Sequence, residues 1–413
     1  MLMAPHLSSS ASVCASRQKR MAWPDVAKGV SIVGVVVLHV CLAVPFGMET
    51  LAAQVNHILD PLRMPLFFLV SGMFSTKVLR MSLWQLFSRR LWFFLVPYVL
   101  WTPIEVGLMD WHRASYEGAD TADIGFYVET LALGQNMYWF LYVLVAFNLV
   151  LWATRRLSPW AAVAASFSTI LALPLNSYCD TVGKFVMYLP IFLAGAHFSR
   201  LVRGFAGSSM TPPKIVGATT AYVAGFAAYA LWYLISADGP ETMGWPLWPG
   251  ATVEANDVWT LVRMVGQILM LPIAILAAVG LSRVRYLSPA LQFLGRHTLP
   301  IYLGHPLALT LLFHVPMARL GGVEIALDAE GWAQSTYLWV AACLVFSALG
   351  GLAMWALQRV PIIGWTLKPP PVAGIPARLR GLWLGKHGGD SGRSRHSGHS
   401  GQSGNSGART REG

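Results

Sequence analysis

Charge is scarce in this chain: only 12% of its 413 residues are Asp, Glu, Lys or Arg, about half the share of an ordinary soluble domain. That scarcity argues against a water-soluble globule. With 55% hydrophobic residues and 17 tryptophans, the composition is that of a polytopic membrane protein. Cysteine is sparse as well. Cys14, Cys41, Cys179 and Cys343 form no CxxC pair and no zinc-ligand spacing, which leaves a metal ribbon or dithiol centre without ligands. A bridge between Cys41 and Cys179 is conceivable, with apolar packing as the default for both. The chain has no Gly-rich phosphate loop, no HExxH and no GxSxG, so nothing carries P-loop, metalloprotease or nucleophile-elbow chemistry.

What is present is a series of long apolar runs. Windows of about 20 residues, the length that crosses the hydrocarbon core, give ten candidate spans. They begin near Val26, His57, Leu91, Asn136, Trp160, Val182, Ile215, Val258, Leu299 and Thr336. Basic residues fill every second connection: Arg17, Lys19 and Arg20; Lys77, Arg80, Arg89 and Arg90; Arg155 and Arg156; Arg200, Arg203 and Lys214; Arg283, Arg285 and Arg296; Arg359 and Lys368. The intervening connections are neutral or acidic. By the positive-inside rule both termini are cytoplasmic, and the net charge of +11 is a topology signal rather than a nucleic-acid footprint.

The expected architecture is therefore all-α, a polytopic membrane protein of about ten transmembrane helices. Residues 1–22 read as a disordered cytoplasmic N-terminus, 23–360 as the membrane domain, and 361–413 as a cytoplasmic tail of low complexity from about Gly388. His396 and His399 in that tail are weak metal-ligand candidates. The first run is long and lacks a small-x-small cleavage site, so it reads as an uncleaved helix rather than a signal peptide.

Ionisable groups inside apolar runs are costly and are read as functional by default. The run VAKGVSIVGVVVLHVCLAV contains two, Lys28 and His39. Eleven positions at about 100° each make close to three turns, so on a helix both share one face about 16 Å apart. Asp25 falls on the same stripe. Such a stripe must face protein or water, and a neutral imidazole deep in the bilayer is suited to general-base work. The blander readings are a structural histidine bonded to a neighbouring carbonyl and a lysine snorkelling at a helix end beside Asp25.

Four segments in order, WPDVAKGVSIVGVVVLHV, RMPLFFLVSGMF, MYWFLYVL and LGRHTLPIYLGHPL, resemble the signatures of the acyltransferase-3 family of integral membrane O-acyltransferases, over roughly Trp23 to Pro306. The resemblance implies transfer of an acyl group, commonly acetyl, from cytoplasmic acyl-CoA to a hydroxyl of an extracytoplasmic glycan or glycolipid. It implies acyl-CoA as co-substrate, no tightly bound cofactor, no metal, and a place in the inner (cytoplasmic) membrane. A basic residue and an essential histidine separated by ten residues fall on Lys28 and His39. Lys28 departs from the arginine common in the family, keeping the charge but losing the bidentate fork. Arg63 stands where many members carry histidine or another polar residue.

These readings distribute the candidate residues. His39 is the catalytic base. Lys28, Asp25, Arg89, Arg90, Ser71, Arg296 and His305 belong to the acyl-donor end, where cations suit the phosphates of CoA; for Arg89 and Arg90 topology alone is an alternative, and for Ser71 close helix packing. His305 sits six residues, about 9 Å, into the span that begins near Leu299, with Arg296 at its entrance, on the donor side. Arg63, Asp60, Glu105, Asn136, Tyr138, Trp139 and Arg263, with Gln267 four residues on, belong to the acceptor side. Arg63 requires a partner such as Asp60 or Glu105, or an anionic acceptor, and an aromatic belt alone accounts for Tyr138 and Trp139. The alternative from a different class is a transporter or flippase for a lipid-linked saccharide. Against it, the two halves show no evident repetition and no paired, Gly/Pro-broken short segments.

Overall fold

The computed structural model describes residues 21–372 apart from 238, 322, 323 and 328–330; nearly all of the N-terminal extension and the histidines His396 and His399 lie outside the described residues. The chain divides into two units, residues 1–369 and 370–413, and the helical body is the first. Among the described residues its sixteen α-helices, joined in places by 3-10 or π turns, run α1 (Trp23–Ala43), α2 (Leu51–Ile58), α3 (Met64–Met73), α4 (Leu83–Leu86), α5 (Trp92–Tyr116), α6 (Ile124–Leu133), α7 (Trp139–Ala153), α8 (Pro159–Ser166), α9 (Thr181–His197), α10 (Ser199–Gly207), α11 (Pro212–Ser236), α12 (Ala255–Leu281), α13 (Leu287–Arg296), α14 (Thr298–Leu309), α15 (Val315–Arg319) and α16 (Thr336–Leu357). The only paired strands among the described residues, β1 (Thr242–Gly244) and β2 (Thr252–Glu254), form an antiparallel hairpin between α11 and α12.

Local chemistry sets the ends of these helices. Pro24 stands in the first turn of α1, where its missing N–H costs nothing, and Asp25 beside it faces the positive end of the helix dipole. Ser82 and Gln85 form a reciprocal capping box at the start of α4. The helix then passes through a π turn at Phe87–Leu91 into α5, a widened turn that places Arg89 and Arg90 differently: Arg89 is exposed, and Arg90 is largely covered.

Among the described residues six helical stretches are long and apolar enough to cross a membrane: Trp23–Ala43, Leu83–Tyr116, Pro212–Ser236, Ala255–Leu281, Thr298–Arg319 and Thr336–Leu357. They coincide with six of the ten windows. The other four windows fall on shorter pieces. The window from His57 is split between α2 and α3 by a 3-10 turn at Asp60–Leu62; that from Asn136 holds α7, 15 residues long; that from Trp160 holds α8 and a 3-10 stretch at Phe167–Leu175. The window from Val182 holds α9, which meets α10 at an 80° bend. A hydropathy window responds to composition and does not register these breaks.

Helices without water between them associate by close packing at small residues, and three such crossings organise the body. A Cβ on Gly29 would lie 2.1 Å from Leu291 O, and one on Gly295 would lie 1.8 Å from Asp25 O, so α13 runs antiparallel against the first half of α1. Gly72 and Gly195 bring α3 against α9, at 2.1 Å from Phe192 O and 2.2 Å from Leu69 O. Gly304 and Gly350 do the same for α14 and α16. The fully buried Phe68 of α3 fills the centre, among the rings of Phe140, Phe147 and Tyr188. Cys41 and Cys179 are separate free thiols, the first 4.0 Å from Thr50 Oγ1 and the second 3.8 Å from Leu133 O; the conceivable bridge between them is not formed.

Candidate active site

The crossing of α1 by α13 determines what His39 meets. Because α13 descends toward Asp25 and the chain reverses at His297, α14 begins beside Lys28 and Ile32, with which Thr298 and Leu299 share a cavity. Two turns further on, His305 reaches the level of His39. His39 Nδ1 and His305 Nε2 are 2.7 Å apart, with the ring planes only 6° from parallel. His305 is fully buried, and its Nδ1 lies 3.0 Å from Ile301 O. His305, grouped with Lys28 and Arg296 on the sequence, therefore stands against His39 and does not line the cavity that holds Lys28. Depth counted along the chain from Arg296 fails because the segment carrying Arg296 first runs back along α1.

The pair has a definite proton order. A carbonyl oxygen only accepts, so His305 Nδ1 must carry the hydrogen that faces Ile301 O; neutral His305 then offers a lone pair at Nε2. His39 Nδ1 must donate to it. His39 is left with its lone pair on Nε2, the arrangement a general base requires.

Two cavities meet near this pair. One, of about 320 Å³, is lined by Lys28, Ser71, Arg90 and Lys368 among the rings of Phe67, Phe74, Phe93 and Phe94. The Lys28 ammonium lies 4.9 Å from the Phe74 ring centre, and Arg90 donates to Ser75 Oγ at 2.7 Å while stacking 5.5 Å from Phe94. Lys368 reaches this cavity because the segment after α16 folds back on α5, where Trp101 Nε1 donates to Thr366 Oγ1 at 3.2 Å. The second cavity, about 160 Å³, is lined by His39, Asp60, Arg63, Arg263, Trp139, Tyr188 and Tyr302. Val35, Met64 and Tyr302 line both and form the partition between them.

In the second cavity the buried Asp60 carboxylate is shared. Arg63 donates to its Oδ1, Arg263 lies 3.6 Å from the same oxygen, and Gln267 Nε2 donates to Oδ2 at 3.1 Å. Asp60, rather than Glu105, is thus the partner of Arg63.

Other candidates stand elsewhere. Asp25 pairs with Arg296 at 3.2 Å, beneath the first cavity but not on its wall, and Arg89 faces outward. Glu105 is buried against the backbone at Met137, near Tyr138 and Tyr302, and lines neither cavity. Asn136 caps the turn before α7, accepting from Tyr138 N at 2.9 Å, and Tyr138 donates to Leu303 O at 2.7 Å. These two hold α7 to α14 without reaching the second cavity. Tyr302, by contrast, lines both cavities, a position that a tyrosine inside the segment LGRHTLPIYLGHPL does not announce. It donates to Met137 O at 2.7 Å, accepts from Phe140 N at 3.2 Å and forms part of the partition. Tyr188, an aromatic inside an apolar helix, likewise lines the second cavity with no local pattern to mark it. Among the described residues no group of three or more His, Cys, Asp or Glu side chains is placed to hold a metal.

The sequence model of the acyltransferase-3 family, described as an acyltransferase domain, matches residues 21–356. The chain belongs to the acyltransferase-3 family. It is a multi-pass membrane acyltransferase, working on an acyl donor and an acceptor from within a lipid bilayer. No curated protein and no solved structure matches the chain.

Proposed function

We propose that this acyltransferase is an inner-membrane O-acyltransferase that moves an acyl group, commonly acetyl, from cytoplasmic acyl-CoA to a hydroxyl of an extracytoplasmic glycan or glycolipid. The observation that carries the reading is the His39–His305 pair beside the junction of two unlike cavities. The cavity at the α1 N-terminal side, with Lys28, Arg90 and Lys368 among aromatic rings, suits the phosphates and pantetheine of the donor. The other, with Trp139 and Tyr188 rings stacked at 16° and two arginines, suits a polar acceptor.

The chemistry follows from the proton order. His39 Nε2 takes the proton of the acceptor hydroxyl as its oxygen attacks the thioester carbonyl carbon; the C–S bond then breaks, and the departing CoA thiolate recovers the proton from Nε2. His305 keeps His39 in the competent tautomer throughout, through the 2.7 Å bond to Nδ1. Met64, a flexible side chain in the partition, is the group that must give way for the thioester to reach His39.

Membranes containing the protein, given radiolabelled acetyl-CoA, are expected to incorporate label into a glycan or glycolipid fraction, whereas His39→Gln membranes are not. Absence of incorporation from acetyl-CoA and from longer acyl-CoA donors, with saccharide transport intact, would favour the transporter instead.

A further inference from the structure

The second cavity carries more positive charge than the protein neutralises. Among the side chains that line it, Arg63 and Arg263 are cationic, Asp60 is the single carboxylate, His39 is neutral, and Val35, Leu38, Met64, Pro65, Trp139, Tyr188 and Tyr302 bear no charge. Asp60 is already shared among Arg63, Arg263 and Gln267. Each guanidinium has five N–H donors. Among the described residues the Arg63 side chain makes one hydrogen bond, to Asp60, and Arg263, at 3.6 Å, makes an ion pair with the same oxygen without hydrogen-bonding it. An uncompensated charge in so enclosed a place is expensive unless something else arrives to pair with it. Membrane topology does not account for these arginines either, since neither belongs to the basic clusters of the alternate connections. They face the same space as His39 and the Trp139–Tyr188 ring pair. About 160 Å³ is room for roughly five waters, on the order of one sugar ring.

We propose that the acylated hydroxyl sits on an anionic unit: the acceptor sugar, or the group directly joined to it, bears a carboxylate or a phosphate that Arg263 and Arg63 hold while His39 deprotonates the neighbouring hydroxyl. The proposal rests on the acyltransferase reading and adds the chemical class of the acceptor. The competing account is that the surplus charge only steadies the transient oxyanion of the transfer step. The two differ in what they discriminate. An oxyanion role speeds transfer to any acceptor alike, and an anion site selects among acceptors.

The test begins with the native acceptor, which needs no variant. Envelope glycans and glycolipids from cells with and without the protein are compared by mass, and the fragment carrying the missing acyl increment is isolated. The expected fragment bears an acidic group on the acylated unit or its immediate neighbour. Exact mass and sensitivity to phosphatase distinguish phosphate from carboxylate. With that fragment as acceptor, deacylated first, Arg263→Gln is expected to raise its KM about 10- to 100-fold, the loss of one charge-assisted hydrogen bond, with KM for acyl-CoA unchanged. Arg263→Lys recovers part of the loss. Neutralising the acceptor, by methyl esterification or dephosphorylation, is expected to weaken binding to the parent protein at least as much as Arg263→Gln does, and to cost the variant less than the parent, since only the Arg63 contact is left for it to lose. An acyl increment on a neutral sugar with no adjacent anion overturns the proposal and leaves the acyltransferase reading standing, as does an Arg263→Gln loss confined to kcat and equal for charged and neutralised acceptors. No acyl increment, with no label transferred from acyl-CoA, overturns the acyltransferase reading, and this inference falls with it.

Discussion

Replacing His39 separates its chemical role from its structural one. A general base contributes typically 10²- to 10⁴-fold in rate, so both His39→Ala and His39→Gln are expected to lower acyl transfer by that factor, or about 2.7–5.4 kcal/mol in barrier height. Their stabilities should differ. His305 is fully buried and takes one hydrogen bond from His39 Nδ1 at 2.7 Å. Alanine leaves His305 Nε2 a buried acceptor with no donor, at a cost of about 1–3 kcal/mol. Glutamine can return an amide N–H to the same place and should melt near the parent. The assay is initial-rate transfer of label from acyl-CoA in membranes, paired with thermal melting of the purified protein in detergent. Near-normal transfer by a well-expressed His39→Gln protein would refute the base assignment. Equal melting of His39→Ala and the parent would refute the proton order drawn through His305.

Lys28→Leu is expected to raise KM for acyl-CoA, by roughly tenfold for a lost charge-assisted contact, and Lys28→Arg to retain most of the affinity, because the ammonium faces the aromatic donor cavity; unchanged KM in Lys28→Leu would make Lys28 an anchor only. Gly295→Val is expected to abolish accumulation of folded protein, since even its Cβ would stand 1.8 Å from Asp25 O and neither backbone can yield; normal yield and melting would contradict the α1–α13 crossing. For topology, a cysteine-free variant carrying Leu247→Cys, in the exposed hairpin loop, should react with an impermeant thiol reagent in intact cells. One carrying Ser208→Cys, an exposed position after α10, should react only in opened membranes; the reverse pattern would place the Lys28 cavity outside, where there is no acyl-CoA.

How much of this was legible in the sequence depends on the distance over which each feature is encoded. Asp25, Lys28 and His39 share one uninterrupted helix, where spacing fixes the face, and the structure sets Lys28 and His39 on adjoining cavities through Val35. Asp60 and Arg63 lie three apart, and they pair. Arg263 is a different case. Its approach to Asp60 is made by α12 crossing the 3-10 turn before α3, and sequence spacing carries no record of such a crossing.

His305 shows the same limit most sharply. Its depth depends on the direction of α13, and that direction is set by Gly29 and Gly295 meeting carbonyls of the partner helix. A glycine in an apolar run signals close approach to something, but not to what. The breaks that shorten four of the ten windows are invisible for a related reason. A 3-10 turn inside an apolar stretch barely alters a windowed hydropathy, and partners that stabilise the break, such as the Arg263 and Gln267 groups that meet Asp60, come from elsewhere in the chain. The groups that distinguish this site from a mere polar stripe are thus assembled by packing: one histidine ordering the proton of another, and two cations on one carboxylate.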